Sequence, residues 1–566
     1  MKFTEFNYNR PDLTEAKSAF QTHLTDLKAA LTKEAALAAV KAIQKLQSQL
    51  DTQQTLASIR QSIDTRDEFY EQEIEFWNEN HPIIEEWVTD YYRAVLHSTH
   101  RAALAEHLPE TFFMIAENSL KVFNASIIPL LQKENKLTTE YGKLTASAEI
   151  EYKGETYNLS GLSAFQQSPD REERQSVTAL LSNFFESHQD EFDRIYDELV
   201  KTRHQIALEL GFKDFVEVGY ARMNRLDYDR SDVEVFRQEV LTHVVPLANE
   251  IFERQAERIG IDDMKFYDLP LEFENGNAKP IGTPEEIVAK GVKMYHELSP
   301  ETGEFIDFMV EKELLDLVTK PGKEGGGYCT YIPTYESPFI FSNFNGTSDD
   351  IDVLTHEAGH AFQVYQSRWI DTPETLWPTY ESCEIHSMSM EFFAWPWMEL
   401  FFGEQTDKYK YSHLAGAATF LPYGVLVDHY QHVVYENPEM TPVERRAAWR
   451  ELEQQYNPWK DYDGNSFYED GGLWFRQGHI FGSPFYYIDY TLAQVCAFQF
   501  WKRSQIDQDL TAWQDYLEIC HTGGTKTFRA IIEEANLKSP FEKGNLEAVI
   551  VSIRDYLNSV PVEALH

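Results

Sequence analysis

Two histidines and a glutamate stand at a spacing that suits metal chemistry. The segment VLTHEAGHAFQV, residues 353–364, places His356 and His360 four positions apart, with Glu357 directly after the first. On a helix this spacing puts both imidazoles on one face, one turn apart, where they reach one Zn²⁺ at roughly 2.0–2.1 Å. Glu357 then stands beside the water that the metal activates, as a general base must. The pattern predicts a zinc site; the alternative is two histidines on a solvated helix face.

A catalytic zinc needs a third protein ligand, which this motif does not contain. The metzincin extension would place a glycine and a third histidine where this chain has Gln363 and Gln366, so that class is excluded. The downstream segment YESCEIHSMSMEFF offers Glu381, Glu384 and Glu391. Glu384 shares a helix face with Glu391, whereas Glu381 lies near the helix start, where it could be a capping acid. We favour Glu384 as ligand, and we expect Glu381 and Glu391 to be supporting or solvated acids.

The elements that carry these residues are helical. Ser348-Asp349-Asp350 precedes the histidine motif and has the composition of a helix cap followed by an acidic first turn. Ala358, Gly359 and Ala361 are small, as expected where a metal-bearing helix packs tightly against a neighbour. The sequence therefore predicts two helices in close contact, one with the histidine pair and one with the third ligand.

Helical patterns also dominate the rest of the chain, so the predicted fold class is mainly α. From Phe20 to Leu50 the apolar residues recur every three or four positions without strict heptads, which predicts a helical hairpin. Further helical blocks are predicted over residues 68–100, 110–131 and 168–261.

Ser168-Pro169-Asp170 is typical of a helix start, with proline at the first position. We place a domain boundary there, which divides the chain into an N-terminal helical domain, residues 1–167, and a second domain, residues 168–566.

Two segments predict β-structure instead. Residues 147–159 alternate in polarity and suggest a short hairpin that turns at Lys153-Gly154. Residues 323–347 are rich in Gly, Tyr, Thr, Phe and Ile, which suggests one or two strands near the zinc motif. No GKS/T follows Gly325-Gly326-Gly327, which argues against a phosphate-binding loop. We expect an edge strand between Tyr328 and Phe341 that pairs with an extended peptide, or else an ordinary flexible loop.

The net charge and the composition of the chain limit the classes of partner that it can bind. The chain has 566 residues with 50 Lys+Arg against 93 Asp+Glu, a net charge of −43. Such a balance argues against binding to nucleic acid or to an anionic membrane surface, and serves mainly solubility. The four cysteines form no CxxC pair, and no signal peptide or membrane span is expected, so the predicted location is cytoplasmic. Acids that line a binding channel would favour cationic or neutral ligands.

Three segments in order carry a family resemblance. NFNGTSDDIDVLTHEAGHAFQ, then CEIHSMSMEFF, then GHIFGSPFYYIDYTLAQ resemble oligoendopeptidase F and, more distantly, zinc peptidases of the thimet oligopeptidase type. The resemblance covers about residues 170–550. It implies a two-lobed helical body around a deep channel that admits only short peptides, with one zinc at its floor and with residues 168–566 as the catalytic domain.

The resemblance also assigns roles to residues. It implies His356, His360 and Glu384 as zinc ligands and Glu357 as the general base. From the third segment it implies His479, Tyr487 and Tyr490 as groups that contact substrate or the developing oxyanion. Because the spacing after the histidine differs by one residue between branches of the family, Tyr486 competes with Tyr487 for the first tyrosine position. A Tyr O–H or His N–H beside a carbonyl under attack stabilises the negative oxygen.

Together these features predict a cytoplasmic, zinc-dependent oligoendopeptidase that cleaves internal bonds of short peptides. A zinc carboxypeptidase of the Taq type is the nearest alternative, since its zinc motif and downstream glutamate look similar. An inactive peptide-binding scaffold that keeps the helical body is the other.

Overall fold

The computed structural model describes residues 1–565, and most of them are helical. Helices α1 to α14 precede the larger sheet: α1 (Leu13–Ala29), α2 (Lys33–Ile63), α3 (Glu68–Leu96), α4 (Arg101–Leu104), α5 (Glu110–Val122), α6 (Ile128–Ala146), α7 (Leu159–Ser163), α8 (Arg171–Ser187), α9 (Gln189–Glu209), α10 (Phe215–Arg222), α11 (Arg230–Glu239), α12 (Val245–Ile259), α13 (Pro284–Leu298) and α14 (Pro300–Glu311). The mainly α fold class is confirmed.

The remaining helices follow the sheet and build the second half of the body. They are α15 (Asp349–Gln366), α16 (Tyr380–Phe393), α17 (Met398–Phe402), α18 (Thr406–Glu436), α19 (Pro442–Tyr456), α20 (Ser466–Glu469), α21 (Gly478–Gly482), α22 (Tyr487–Trp501), α23 (Ala512–Thr522), α24 (Phe528–Glu534) and α25 (Asn545–Ser559). Helix α16 packs against both α15 and α22, and α22 packs in turn against α18, so these four helices form the centre of the core.

Two small sheets interrupt the helices. The first is a hairpin of β1 (Ile150–Tyr152) and β2 (Glu155–Tyr157), whose turn residues Lys153 and Gly154 have φ of 51° and 85°. Positive φ at both positions is the geometry of a tight hairpin turn, so the predicted turn is confirmed.

The second sheet lies beside α15. It contains β3 (Leu315–Val318), β4 (Tyr328–Ile332) and β5 (Ser337–Phe344) in the order β3-β5-β4, with β3 parallel and β4 antiparallel to β5. Strand β4 is therefore an edge strand, and it is shorter than the predicted Tyr328–Phe341 because the chain turns back at Pro333–Tyr335 and continues as the central strand.

The N-terminal hairpin is confirmed, since α1 and α2 pack together, and both are capped by side chains that accept backbone N–H groups, Asp12 and Thr32. Two helix boundaries differ from prediction. The block over residues 110–131 is two helices, because the chain leaves helical geometry after Val122 and a new helix begins at Ile128. The helix expected to begin at Pro169 begins at Arg171, because the Asp170 side chain caps it.

None of the helices within residues 1–565 combines the length and the apolar character that crossing a membrane requires.

Candidate metal centre

The histidine pair and one glutamate meet where α15 crosses α16. His356 Nε2 lies 3.1 Å and His360 Nε2 lies 3.3 Å from the same oxygen, Glu384 Oε2. One ligand atom from each of the three residues lies within 4.8 Å of the other two. Two imidazole nitrogens and a carboxylate oxygen, converging on one point beside a cavity, are a donor set typical of a catalytic zinc site with an open position. The donor chemistry thus fits zinc.

Small residues let the two helices approach closely. A Cβ on Gly359 would lie 2.6 Å from the His386 carbonyl oxygen and 2.6 Å from Ser387 Cα on α16. Both contacts are with backbone atoms, which cannot move aside without shifting a helix. Ala358 and Ala361 on the same helix are buried as well. The expected tight packing of α15 against a neighbouring helix is confirmed.

A hydrogen-bonded chain behind His356 fixes its ring. His356 Nδ1 lies 2.7 Å from Glu391 Oε1, and His413 Nε2 lies 2.7 Å from Glu391 Oε2. Trp395 Nε1 donates to His413 Nδ1 at 3.0 Å, so the His413 proton is on Nε2 and points at Glu391. With Nδ1 directed at Glu391, Nε2 is the His356 ring nitrogen that faces Glu384 and His360.

The charge of Glu391 follows from the same contacts. Burial alone would raise the pKa of its carboxyl, but the hydrogen bonds from His356 and His413 outweigh burial and hold it below the ordinary value. Glu391 is therefore an ionised supporting acid behind the first histidine, one of the two roles expected from the sequence.

Glu357 lies beside His356, His360 and Glu384, but its carboxyl has no such hydrogen-bonded support among residues 1–565. Its side chain is only 6% exposed, and its Oε2 atom has no hydrogen-bond partner within residues 1–565. Burial raises the pKa of this carboxyl. A Cβ on Gly327 would lie 3.3 Å from Glu357 Oε1 and 2.9 Å from Val353, so a glycine there lets the start of β4 approach the carboxylate.

Glu381 lies apart from the histidines. It is fully buried, accepts a hydrogen bond from Thr379 Oγ1 at 2.7 Å, and has its pKa raised well above normal by burial and then by Asp489. It does not line the cavity beside His356 and His360. The structure thus brings Glu384, and not Glu381, to the histidine pair.

The ligand cluster opens into a channel between the two halves of the chain. A cavity of about 480 Å³ is lined by His356, Glu357 and Glu384, by residues 327–330 of the β4 edge, and by Ile115 of α5. A second cavity of about 730 Å³ shares Ile115 with it and runs on between the N-terminal helices and the rest of the body. Extended chains fit such a channel more readily than folded domains do.

A third cavity adjoins the site on its other side. It has a volume of about 540 Å³, and its walls include His479 and Tyr490 together with four carboxylates, those of Glu272, Asp349, Asp352 and Glu391. Among residues 1–565, no lysine or arginine lines it. Burial raises the pKa of Glu272, Asp349 and Asp352, that of Asp352 to about 7, whereas hydrogen bonds hold the pKa of Glu391 below its ordinary value.

The third sequence segment places its side chains on the wall opposite α15. His479 Nε2 lies 3.0 Å from the Tyr490 oxygen, and both residues line the cavity of the ligand cluster. Burial lowers the pKa of His479 to about 4, so its imidazole is neutral near neutral pH. Tyr486 O–H donates to Glu384 Oε1. Tyr487 does not line the cavity that contains His356 and Glu384. Its ring packs against Phe420 and Tyr423 and faces the third cavity, of about 540 Å³.

The backbone conformation at Phe485 determines whether Tyr486 or Tyr487 points at Glu384. Phe485 has φ of 68°, in the left-handed region that non-glycine residues rarely occupy. Its N–H donates to Gln431 Oε1 at 2.9 Å, and its carbonyl accepts from Arg225, which also pairs with Asp489 at 3.1 Å. Gly219 provides the room, because a Cβ there would lie 2.4 Å from the Phe485 ring. These contacts orient Tyr486 toward Glu384.

Sequence reasoning did not identify Arg225, Gln431 or Gly219. They lie in or near α10 and α18, far along the chain from the loop they hold, and none belongs to a recognisable motif. An arginine or glutamine in a helical segment gives no sequence signal of this role.

Comparison with known proteins places the chain among peptidases. Residues 3–123 match the peptidase M3 N-terminal domain, and residues 164–550 match peptidase family M3. PZ peptidase A, solved with an inhibitor, is 52% identical with a TM-score of 0.98, covering 99% of this chain and 100% of that one. A structure described as an oligoendopeptidase F from Bacillus anthracis str. Ames is 49% identical with a TM-score of 0.93, covering 99% of this chain and 98% of that one.

A curated relative matches over a shorter length. Oligopeptidase PepF of Bacillus subtilis (strain 168) is 21% identical over 280 residues, which are 45% of this chain and 41% of that protein. The alignment thus spans under half of that relative.

Proposed function

We propose, from the premise that this chain belongs to peptidase family M3 and is a peptidase, that it is a zinc-dependent oligoendopeptidase which cleaves internal bonds of short peptides. One observation carries the proposal. The nitrogens of His356 and His360 converge on Glu384 Oε2 at 3.1 and 3.3 Å inside a channel, beside Glu357, whose Oε2 atom has no hydrogen-bond partner among residues 1–565.

The three converging residues would hold one zinc per chain. Zinc bound there would supply Lewis-acid chemistry, lowering the pKa of a water and polarising the scissile carbonyl. Glu391 keeps His356 in the tautomer that offers Nε2, and Tyr486 holds the second oxygen of Glu384. Both contacts limit the ways in which the ligands can turn.

Glu357 acts as the general base. Its free Oε2 atom accepts a proton from the attacking water, and the same carboxyl then delivers that proton to the amine that leaves. A raised pKa suits this double task, because the carboxyl must gain and release a proton at the same pH.

Tyr490 and His479 act on the opposite side of the carbonyl. They are hydrogen-bonded to each other at 3.0 Å and line the cavity that the ligands share, so Tyr490 O–H is placed to donate to the carbonyl oxygen as it becomes negative. The part expected of Tyr487 stays a prediction, and Tyr486 is the stronger candidate for contact with the ligand set.

The β4 edge supplies the binding surface for an extended peptide. Its residues Tyr328 to Thr330 line the cavity, and the free side of an edge strand offers N–H and C=O groups to a peptide backbone. The narrow channel would admit short peptides. The four cysteines are free, which is in keeping with the predicted cytoplasmic location.

Product mapping tests the proposal against its alternatives. A ten-residue peptide blocked at both ends is incubated with the zinc-loaded protein and followed by mass spectrometry. Internal cuts support the oligoendopeptidase. Stepwise loss of residues from the C-terminus of an unblocked peptide would instead indicate the Taq-type carboxypeptidase, and binding without cleavage would indicate the scaffold.

A further inference from the structure

The two ring nitrogens of His479 meet different partners. Gln477 Nε2 lies 3.0 Å from Nδ1, and the Tyr490 oxygen lies 3.0 Å from Nε2. A neutral imidazole carries a proton on only one nitrogen, so the group that meets Nδ1 decides what Nε2 does.

The orientation of the Gln477 amide is fixed from behind. Tyr423 O–H donates to Gln477 Oε1 at 2.8 Å, which leaves the NH₂ end facing His479. The Arg476 guanidinium, which has donors only, lies beside the Tyr423 oxygen and favours Tyr423 as the donor to Gln477. The amide also lies beside Tyr487. Gln477 therefore donates to Nδ1, and the His479 proton is on Nε2.

This tautomer determines the direction of the Tyr490 hydroxyl. With Nε2–H donating to the Tyr490 oxygen, His479 does not take up the Tyr490 proton, which can then point into the cavity that Tyr490 and its neighbour Tyr486 line. In the opposite tautomer, Nε2 would accept from Tyr490, and that proton would be lost to the substrate. We propose that Gln477 is a positioning residue which, by setting the tautomer of His479, keeps the Tyr490 O–H available to the peptide carbonyl oxygen. This inference rests on the proposed peptidase function.

The test is Gln477→Met, which keeps the length of the side chain and removes its donor. We expect kcat to fall by about tenfold, a fraction of the ~10²–10³-fold loss from deleting an oxyanion donor outright. KM, zinc content and melting temperature should not change. The decisive readout is the same substitution in two backgrounds. In the wild type it should cause the full loss of about tenfold, and in Tyr490→Phe it should cause no further loss.

Tyr423→Phe gives a second, milder variant that leaves Gln477 in place. Without the hydroxyl that orients it the amide can turn, so kcat should fall by a smaller factor, again only where Tyr490 is present. An unchanged kcat in Gln477→Met, or an equal loss with and without Tyr490, would overturn the inference. If the zinc-loaded wild type cleaves no peptide, the proposed function fails first, which distinguishes the two failures.

Discussion

The two walls of the site are built in different ways. On one wall, the regular spacing of α15 and α16 positions His356, His360 and Glu384, and contacts with Glu391 and Tyr486 limit how these side chains can turn. The other wall, residues 478–490, consists of the short helix α21, a turn and the start of α22, and the shape of that turn depends on side chains near α10 and in α18. Helix spacing sets the positions on the first wall, whereas the turn at Phe485 takes its shape from contacts that are distant along the chain.

The largest effect is expected from removing a ligand on the helical wall. His356→Ala deletes one of the three converging donors, so we expect the bound zinc to be lost and turnover to fall by roughly 10³-fold or more. Elemental analysis after dialysis, alongside cleavage of a fluorogenic peptide, measures both. Zinc that remains stoichiometric in this variant would show that His356 is not a ligand.

Substitutions on the second wall, residues 478–490, should lower kcat without loss of zinc. Tyr490→Phe removes the proposed donor to the carbonyl oxygen, and we expect kcat to fall by about 10²–10³-fold at unchanged zinc content. Tyr487→Phe is the matched control, since it removes one hydroxyl from a neighbouring ring, and it should show the smallest loss among Tyr486, Tyr487 and Tyr490. A larger loss for Tyr487→Phe than for Tyr486→Phe would restore the assignment favoured by the sequence.

Two glycine substitutions test whether the two walls are positioned independently, because each glycine lies at a close contact behind one wall. Gly359→Ala forces α15 away from α16, and Gly219→Ala forces the buried Phe485 ring to move; each should destabilise the fold by about 1–3 kcal/mol. Gly359→Ala should lower zinc affinity, whereas Gly219→Ala should keep zinc and lower kcat. Zinc titration and steady-state kinetics on both variants check this. The same defect in both variants would argue against two independently built walls.

The smallest effect concerns charge. Four carboxyl groups line the cavity next to Tyr490, and burial raises the pKa of three of them, that of Asp352 to about 7. At low salt and at a pH above 7, a peptide with basic residues should therefore be cleaved a few-fold faster than its acidic counterpart, with the ratio falling as salt is added or as the pH is lowered. Competition between the two peptides at several ionic strengths measures the ratio. Equal rates at low salt would mean that the acidic lining has no role in selection.

The contrast between the walls also explains which features of the fold and the site could be predicted from the sequence. The helical hairpin, the edge strand, the tight α15–α16 packing and the choice of Glu384 over Glu381 all follow from short-range periodicity and composition. The division at residue 168 stays a prediction. The position of Tyr486 was not predictable, because it depends on the left-handed backbone of Phe485 and on partners hundreds of residues away in Gly219 and Arg225.

The central claim is that Glu357 moves the proton while other residues hold the metal. Glu357→Gln keeps the size of the side chain and removes its basicity, so the account predicts one zinc per chain, as in the wild type, with turnover of a fluorogenic peptide lowered by roughly 10³-fold or more. Elemental analysis and kinetics on one preparation give both values. Wild-type turnover in this variant would contradict the account.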